Sequence, residues 1–295
     1  MASVDVLAMA HQIAHNGKAN ANPVRPYRVI CQDSNDPGYT NTLLVGTATT
    51  GLLRAEWVAA RYGQLTPLNW SMAGHMQVVA GGVLDYMPLR YLVADAQNLI
   101  VAEAIRLDME WVALVEHDII LPPQSFFMLN HYMKKEPTPI VSGLYFSRAY
   151  PSEPMVFRGM GEGVYEDWKL GDKVWCDGVP TGLLLIHSAV LRAMWEESEP
   201  YTISGIKTRR VFETPRASWY DPDSGHTNMA VGTSDLEWCK RVIKGRYLHK
   251  AGWGAFADEH PEYPFLVDTN LFAYHCNQDG TMFPDKKSLA KFERD

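Results

Sequence analysis

Trp111-Val112-Ala113-Leu114-Val115-Glu116-His117-Asp118 is the stretch from which the fold can be read. Five consecutive apolar residues suit a strand buried on both faces, as in the interior of a parallel sheet. The run passes directly into Glu116, His117 and Asp118, and then into Ile119-Ile120-Leu121-Pro122-Pro123. Open α/β sheets bind ligands beyond the carboxyl ends of their strands, where this charged triplet falls. Two carboxylates with one residue between them can approach one hard divalent cation. The same residues also fit a strand end that simply reaches solvent, and the stretch alone leaves both readings open.

Outward from this strand, apolar runs and helical patterns alternate. Thr42-Leu43-Leu44-Val45-Gly46 reads as a first central strand, followed by the small-residue turn Thr47–Gly51. A helix is expected from Leu52 to Tyr62, with Leu53, Trp57 and Val58 on one face and Gly63 as its stop. Met76–Ala80 is a short strand candidate, and Leu92 to Arg106 carries Leu99, Ile100, Ala104 and Leu107 at helical spacing. After the Trp111 strand, Pro122-Pro123 open a helix with Phe126, Leu129 and Met133 on one face and Lys134-Lys135 at its end. Ile140–Tyr145 is another strand. Such alternation predicts an α/β fold with a mostly parallel sheet and right-handed crossovers.

The second half changes character. Pro154–Phe157 and Lys173–Cys176 are short strand-like pieces, Gly182–His187 is a buried strand, and Ser188 is expected to cap a helix over Ala189–Trp195. Residues 198–232 are long, polar and rich in Gly, Pro, Asp and Arg, which predicts a mobile flap. Ser234 with Glu237 three residues on has the form of a capping box, with Leu236, Cys239 and Ile243 as the buried stripe and Gly245 as the stop. Asp235 then sits in the first turn of that helix, either complementing the helix dipole or aimed into a cleft as a general base. Leu271-Phe272-Ala273-Tyr274-His275 is an apolar run ending in a candidate metal ligand, which could equally be an ordinary satisfied histidine. The domain organisation expected is an extension over 1–40, with Val29–Cys31 as a possible strand, then one domain over 41–285. That domain divides into two halves, 41–145 and 146–285. A charged, frayed tail follows over 286–295.

Composition narrows the function classes. An apolar content of 46% with 21% charged residues is that of a globular protein. A net charge of −7 argues against a duplex nucleic-acid binder acting through its overall field. The four cysteines, Cys31, Cys176, Cys239 and Cys276, form no C-x-x-C pair, so they read as reduced thiols in a cytoplasmic protein. No apolar run reaches transmembrane length, and the first residues lack the basic start of a signal peptide.

In chain order these features are a βαβ start, an acid-x-acid at a strand end, an S-D-L-E helix start and a late strand ending in His. Together they resemble the nucleotide-sugar glycosyltransferases of the GT-A fold, especially glycosyltransferase family 2 and its short bacterial and phage relatives. Asn98–Ala104 with Trp111–Asp118 is similar to that family's helix and D-x-D strand. Asp177-Gly178-Val179-Pro180-Thr181-Gly182-Leu183-Leu184-Leu185-Ile186 is similar to its acceptor-side strand, and Thr233–Cys239 to its E-D helix start. The resemblance spans about residues 42–280. It implies a Rossmann-like central sheet with a smaller mixed sheet on the acceptor side, and a sugar transferred from a UDP- or GDP-sugar. The acceptor stays open: polysaccharide, lipid-linked sugar, protein or modified nucleic acid. It further implies Asp118 and His275 as ligands of Mn²⁺ or Mg²⁺, Asp235 as the base that deprotonates the acceptor, and inversion at the anomeric carbon. Thr47, Thr49 and Asn98 would hold the nucleotide. The chain departs from the pattern at three places. Glu116 replaces the first Asp and would contact ribose or a water held by the ion. Gln97 stands where relatives often carry Arg, so Arg90, or Arg209 and Arg210, would supply the cation for the diphosphate. Ser234 stands where many have Glu. His117 is expected to face away into packing. The alternatives are a non-catalytic nucleotide-sugar-binding protein and, from the His117-Asp118 pair, a metal-dependent phosphohydrolase.

Overall fold

The computed structural model describes residues 42–65, 83–159 and 163–294. The extension over 1–40, the Val29–Cys31 and Met76–Ala80 strands, and Cys31 lie outside them. The first half runs β1 (Leu43–Gly46), α1 (Ala55–Tyr62), β2 (Val83–Tyr86), α2 (Val93–Arg106), β3 (Trp111–Val115), β4 (Ile119–Ile120), α3 (Ser125–Lys134) and β5 (Ile140–Leu144). The second half runs β6 (Lys173–Cys176), β7 (Leu183–His187), α4 (Ser188–Glu197), β8 (Pro200–Ile203), β9 (Ile206–Arg209), β10 (Arg216–Asp221) and β11 (His226–Val231). It ends with α5 (Ser234–Lys244), α6 (Tyr247–Lys250), α7 (Gly254–Glu259), β12 (Phe265–Phe272), β13 (Tyr274–Cys276), β14 (Met282–Phe283) and α8 (Lys286–Ala290).

Seven strands form the central sheet in the order β2-β1-β3-β7-β5-β12-β6. β1 pairs in parallel with β2 and β3, and β5 with β12, while β7 and β6 run against their neighbours. Five strands therefore point one way, and the α/β, mostly parallel sheet flanked by helices is as expected. The smaller sheets are antiparallel throughout, where a mixed one was expected.

The period of two along the strands divides the core. Leu44, Val112, Leu114, Ile140, Leu184 and Ile186 join one apolar cluster with residues of α2, α4 and α5. Leu43, Val45, Trp111, Ala113, Val115 and Leu185 join a second, with Phe126, Leu129 and Met133 of α3. Burial on both faces explains why these strands read as unbroken apolar runs. Each fully buried Leu or Val contributes about 1.5–3 kcal/mol relative to exposure.

Several sequence expectations are corrected. α1 begins at Ala55 and buries Trp57 and Arg61, one turn apart, while Val58 is exposed. Pro122 and Pro123 lie in the turn before α3, where Pro122 O accepts from the Ser125 amide. Ser188 is not the cap of α4: His187 is, its Nδ1 accepting from Ala189 N at 3.2 Å. Residues 198–232, read from sequence as a loop, hold two β-hairpins, β8–β9 and β10–β11. Ser204 and Gly205 both have positive φ, as a two-residue primed turn requires. The tail is a helix capped by Asp285, whose side chain accepts from Lys287 N and Ser288 N. Phe292 beyond it is buried and stacks on Trp168 at 4.2 Å. Among the described residues no helix is long and apolar enough to cross a membrane, and Cys176, Cys239 and Cys276 are free thiols.

Candidate active site

Asp118 leaves the sheet just past the carboxyl end of β3. Its surroundings follow from backbone pairing. β13 runs antiparallel to β4 with His275 opposite Ile119, and Cys276 N donates to Asp118 O at 2.7 Å. That register sets His275 beside Asp118 although they are far apart in sequence. The His275 Nδ1 lies 2.9 Å from Phe146 O. A carbonyl oxygen only accepts, so Nδ1 carries the hydrogen, and in the neutral ring Nε2 presents a lone pair. Nε2 lies 3.3 Å from Asp118 Oδ2. Neither His275 Nε2 nor Asp118 Oδ1 has a hydrogen-bond partner among the described residues, and both atoms are buried.

Two buried acceptor atoms without partners, on side chains that meet at 3.3 Å, leave room for a cation or a proton to satisfy them. A carboxylate oxygen with an imidazole nitrogen suits Mn²⁺, and the carboxylate suits Mg²⁺. Among the described residues no group of three or more His, Cys, Asp and Glu side chains could hold an ion. Asp118 and His275 by themselves would leave most positions of an ion to substrate oxygens and water.

Arg148, which sequence spacing did not reveal, donates from Nη1 to Asp118 Oδ2 at 2.8 Å. Burial pushes the Asp118 carboxyl up, but the facing His275 and the charges of Arg148 and His117 outweigh it and hold it below the ordinary carboxylate range. Glu116 is tuned the opposite way. Burial, then the charges of Asp118 and Asp235, push its carboxyl up to about 7. His117 does not face into packing. Its Nδ1 lies 3.2 Å from Ala48 O and ties the site to the turn after β1.

The departures at Gln97 and Ser234 belong to one hydrogen-bond chain. Ser234 Oγ donates to Gln97 Oε1 at 3.0 Å, and Gln97 Nε2 donates to Thr181 Oγ1 at 2.9 Å. Thr181 Oγ1 donates to Glu116 Oε1 at 3.3 Å. The start of α5, the first turns of α2, the strand entry at Thr181 and the end of β3 are thus held together. Beside it, Gly182 N donates to Tyr145 Oη at 2.9 Å, and a Cβ at Gly182 would come within 2.3 Å of that oxygen, so only glycine fits.

No capping box forms, since Thr233 is the N-cap of α5 and makes no side-chain cap. Asp235 nevertheless lies in the first turn, close enough for its charge to act on Glu116. Its Oδ1 accepts from Leu236 N at 2.9 Å, and Oδ2 makes no hydrogen bond among the described residues.

The nucleotide-side expectations divide. Thr47 is fully buried, and its Oγ1 has no hydrogen-bond partner among the described residues. Thr49 Oγ1 accepts from Gly51 N at 3.1 Å, and Thr49 O accepts from Arg90 N at 2.9 Å, so the Thr47–Gly51 turn and Arg90 adjoin. Arg90 is exposed with φ 64. Asn98 lies elsewhere. Its Nδ2 donates to Phe212 O at 2.9 Å and Tyr201 Oη at 3.1 Å, and its Oδ1 accepts from Phe212 N at 2.7 Å. Both ends of the amide are committed to the chain, so Asn98 positions the 198–212 segment and does not meet a nucleotide. Arg209 donates to Glu196 O and Ser198 O, and Arg210 pairs with Glu199.

No family model matches the sequence, and no curated protein matches it. Among solved structures, one described as A197 from STIV superposes with a TM-score of 0.47 at 12% identity, over 82% of this chain and 92% of that chain. TarS of S. aureus superposes with a TM-score of 0.33 at 9% identity, over 52% of this chain and 29% of that one.

Proposed function

We propose that this chain is a divalent-metal-dependent glycosyltransferase that moves a sugar from a UDP- or GDP-sugar to an acceptor hydroxyl with inversion. The observation that carries the reading is the pair Asp118 Oδ1 and His275 Nε2, buried and without hydrogen-bond partners beyond the carboxyl end of β3. Asp118 and His275 would hold Mn²⁺ or Mg²⁺. When bound, such an ion supplies Lewis-acid stabilisation of the charge that grows on a leaving diphosphate. Asp235 takes the proton of the attacking hydroxyl at Oδ2, since Oδ1 already accepts from Leu236 N. A base on the acceptor side, opposite the leaving group, suits in-line displacement and hence inversion. Glu116 contacts the donor ribose or a water held by the ion. Thr47 and Thr49 line the nucleotide side with Arg90.

The test is a thermal-shift panel of UDP-, GDP-, dTDP- and CMP-sugars with and without Mn²⁺. Ligands that bind only the folded state raise its stability, by about 2.7 kcal/mol at a hundred times Kd. One nucleotide is expected to raise Tm only in the presence of Mn²⁺, and Asp118→Ala to abolish the rise. No shift with any donor, or an undiminished shift in Asp118→Ala, would overturn the proposal.

A further inference from the structure

Arg148 stands immediately beyond β5 in a loop whose root is fixed. Phe146 bridges to Pro154, Ser147 N donates to Glu153 O at 2.8 Å, and Glu153 N donates to Ser147 Oγ at 3.0 Å. Ser152 N is tied to Ser288 Oγ at 3.1 Å, joining the loop to α8. The carbonyl that orients His275 is that of Phe146, at the same root. One anchored loop therefore sets both the imidazole and the guanidinium that face Asp118.

The two ends of the Arg148–Asp118 pair differ. The Asp118 side chain is 14% exposed and the Arg148 side chain 44%. The carboxylate is fixed by its place after β3, whereas the guanidinium sits on a long side chain with open solvent beside it. An ion pair exposed on one side is weak and easily exchanged. Asp118 Oδ2 already faces Arg148 at 2.8 Å and His275 at 3.3 Å. A second cation arriving at this carboxylate meets the guanidinium at close range and is repelled by it. A cation held at Oδ1 and Nε2 stands against the guanidinium on Oδ2, which weakens the Arg148–Asp118 pair and frees Arg148 for the anion the cation brings with it. A planar guanidinium is well suited to phosphate oxygens, which it can meet with two parallel N–H donors. Arg209 is committed to two carbonyls, and Arg54 to Glu56 and Gln278 O.

We infer that Arg148 is a latch: it neutralises Asp118 before the donor binds and transfers to the donor's diphosphate when a divalent cation takes its place on the carboxylate. The inference rests on the donor-site reading proposed above. It predicts effects of opposite sign on two ligands, which a merely structural role for the loop would not produce. Isothermal titration of Arg148→Ala with Mn²⁺ alone is expected to show tighter binding than wild type. The gain should be roughly 2- to 5-fold, the size of an exposed ion pair. Titration with UDP or GDP at saturating Mn²⁺ is expected to show binding weakened by about 10-fold or more, the size of a charge-assisted hydrogen bond. Arg148→Lys keeps the charge without the fork. It should bind Mn²⁺ as wild type does and the nucleoside diphosphate several-fold more weakly. Both affinities falling together, or neither moving, in Arg148→Ala and Arg148→Lys would overturn the latch alone. Wild type that binds neither Mn²⁺ nor a nucleoside diphosphate would overturn the donor-site reading, and the latch with it.

Discussion

His187 and His275 are both buried histidines, one at the end of a central-sheet strand and the other in the middle of β13, in the small β14-β13-β4 sheet beyond the other end of β3. His187 closes β7 opposite Trp111, the first residue of β3. Its Nδ1 accepts the Ala189 amide, and its ring meets Trp111 and Trp253 edge-on at 4.7 and 5.3 Å. Burial lowers its pKa to about 3, with Arg192 a lesser cause. His275 lies beyond the opposite end of β3, its Nδ1 held by a carbonyl and its Nε2 facing Asp118 without a hydrogen bond. The first histidine is capped, packed and neutral. The second is oriented at one nitrogen and left available at the other. Burial alone does not separate a structural histidine from a functional one; what the ring faces does, two Trp rings for His187 and the Asp118 carboxylate for His275.

The comparison breaks most sharply at Asp235, on the site end. Asp235→Asn is expected to lower sugar transfer by roughly 10²–10⁴-fold, the range for loss of a general base. Binding of the nucleoside diphosphate with Mn²⁺ should be unchanged, because Asp235 lies on the acceptor side. Initial rates alongside titrated affinities decide this. A variant retaining more than a tenth of wild-type turnover would remove Asp235 from the role of base and leave it as a helix-dipole carboxylate.

The structural end responds to acid. With a folded-state pKa near 3 and an unfolded value of about 6.5, His187 is neutral in both states above pH 6.5. Below that, the unfolded chain takes up a proton that the folded chain refuses. Stability is therefore full above about pH 6.5 and falls as the pH drops toward 3, with a slope of at most ~1.4 kcal/mol per pH unit from this residue. Protonation would also remove the Nδ1 lone pair that caps α4. His187→Asn keeps a capping acceptor without a titration in this range. Urea unfolding of both proteins from pH 7 to pH 4.5 should give a flatter profile for the variant. Parallel profiles would show that His187 is not the group responsible.

Legibility in the sequence follows the same division. Leu43–Gly46, Trp111–Val115, Ile140–Leu144 and Leu183–His187 are buried on both faces, so an unbroken apolar run announces each of them. β8 and β9 are largely exposed or half-buried and show no such pattern, and polar composition suggested a loop. A signal was present all the same: Ser204-Gly205 between Ile203 and Ile206 is a two-residue hairpin turn, and Gly225 with φ 71 closes the other. Phe292 was hidden because its charged neighbours outnumber it, although Asp285 three residues before Ser288 is a readable helix start. Asp118 and Asp235 could be singled out because each stands at the end of a well-marked element. Arg148 could not, since its pairing with Asp118 depends on how the loop after β5 folds back. Nor could Asn98 be separated from Gln97 beside it: one amide joins the site network and the other the 198–212 segment.

The smallest effect concerns how α5 begins, where the sequence and the structure make different predictions for the same three residues. A capping box assigns stabilisation jointly to Ser234 and Glu237, so that either substitution should cost about 1 kcal/mol. In the structure Thr233 is the N-cap, Glu237 has only a loose 3.9 Å pairing with Lys240, and Ser234 Oγ is turned toward Gln97. Glu237→Ala should then shift stability by less than about 0.5 kcal/mol, as for a surface position. Ser234→Ala should cost about 1–2 kcal/mol, because it leaves the buried Gln97 Oε1 without a donor. The second substitution should also loosen Thr181 and Glu116 further along the chain, so it should lower donor affinity where Glu237→Ala leaves it intact. Chemical denaturation and donor titration on the two variants separate the cases. Equal losses at both positions would mean that Ser234 caps the helix, and that the link between α5 and the end of β3 is not maintained through Gln97.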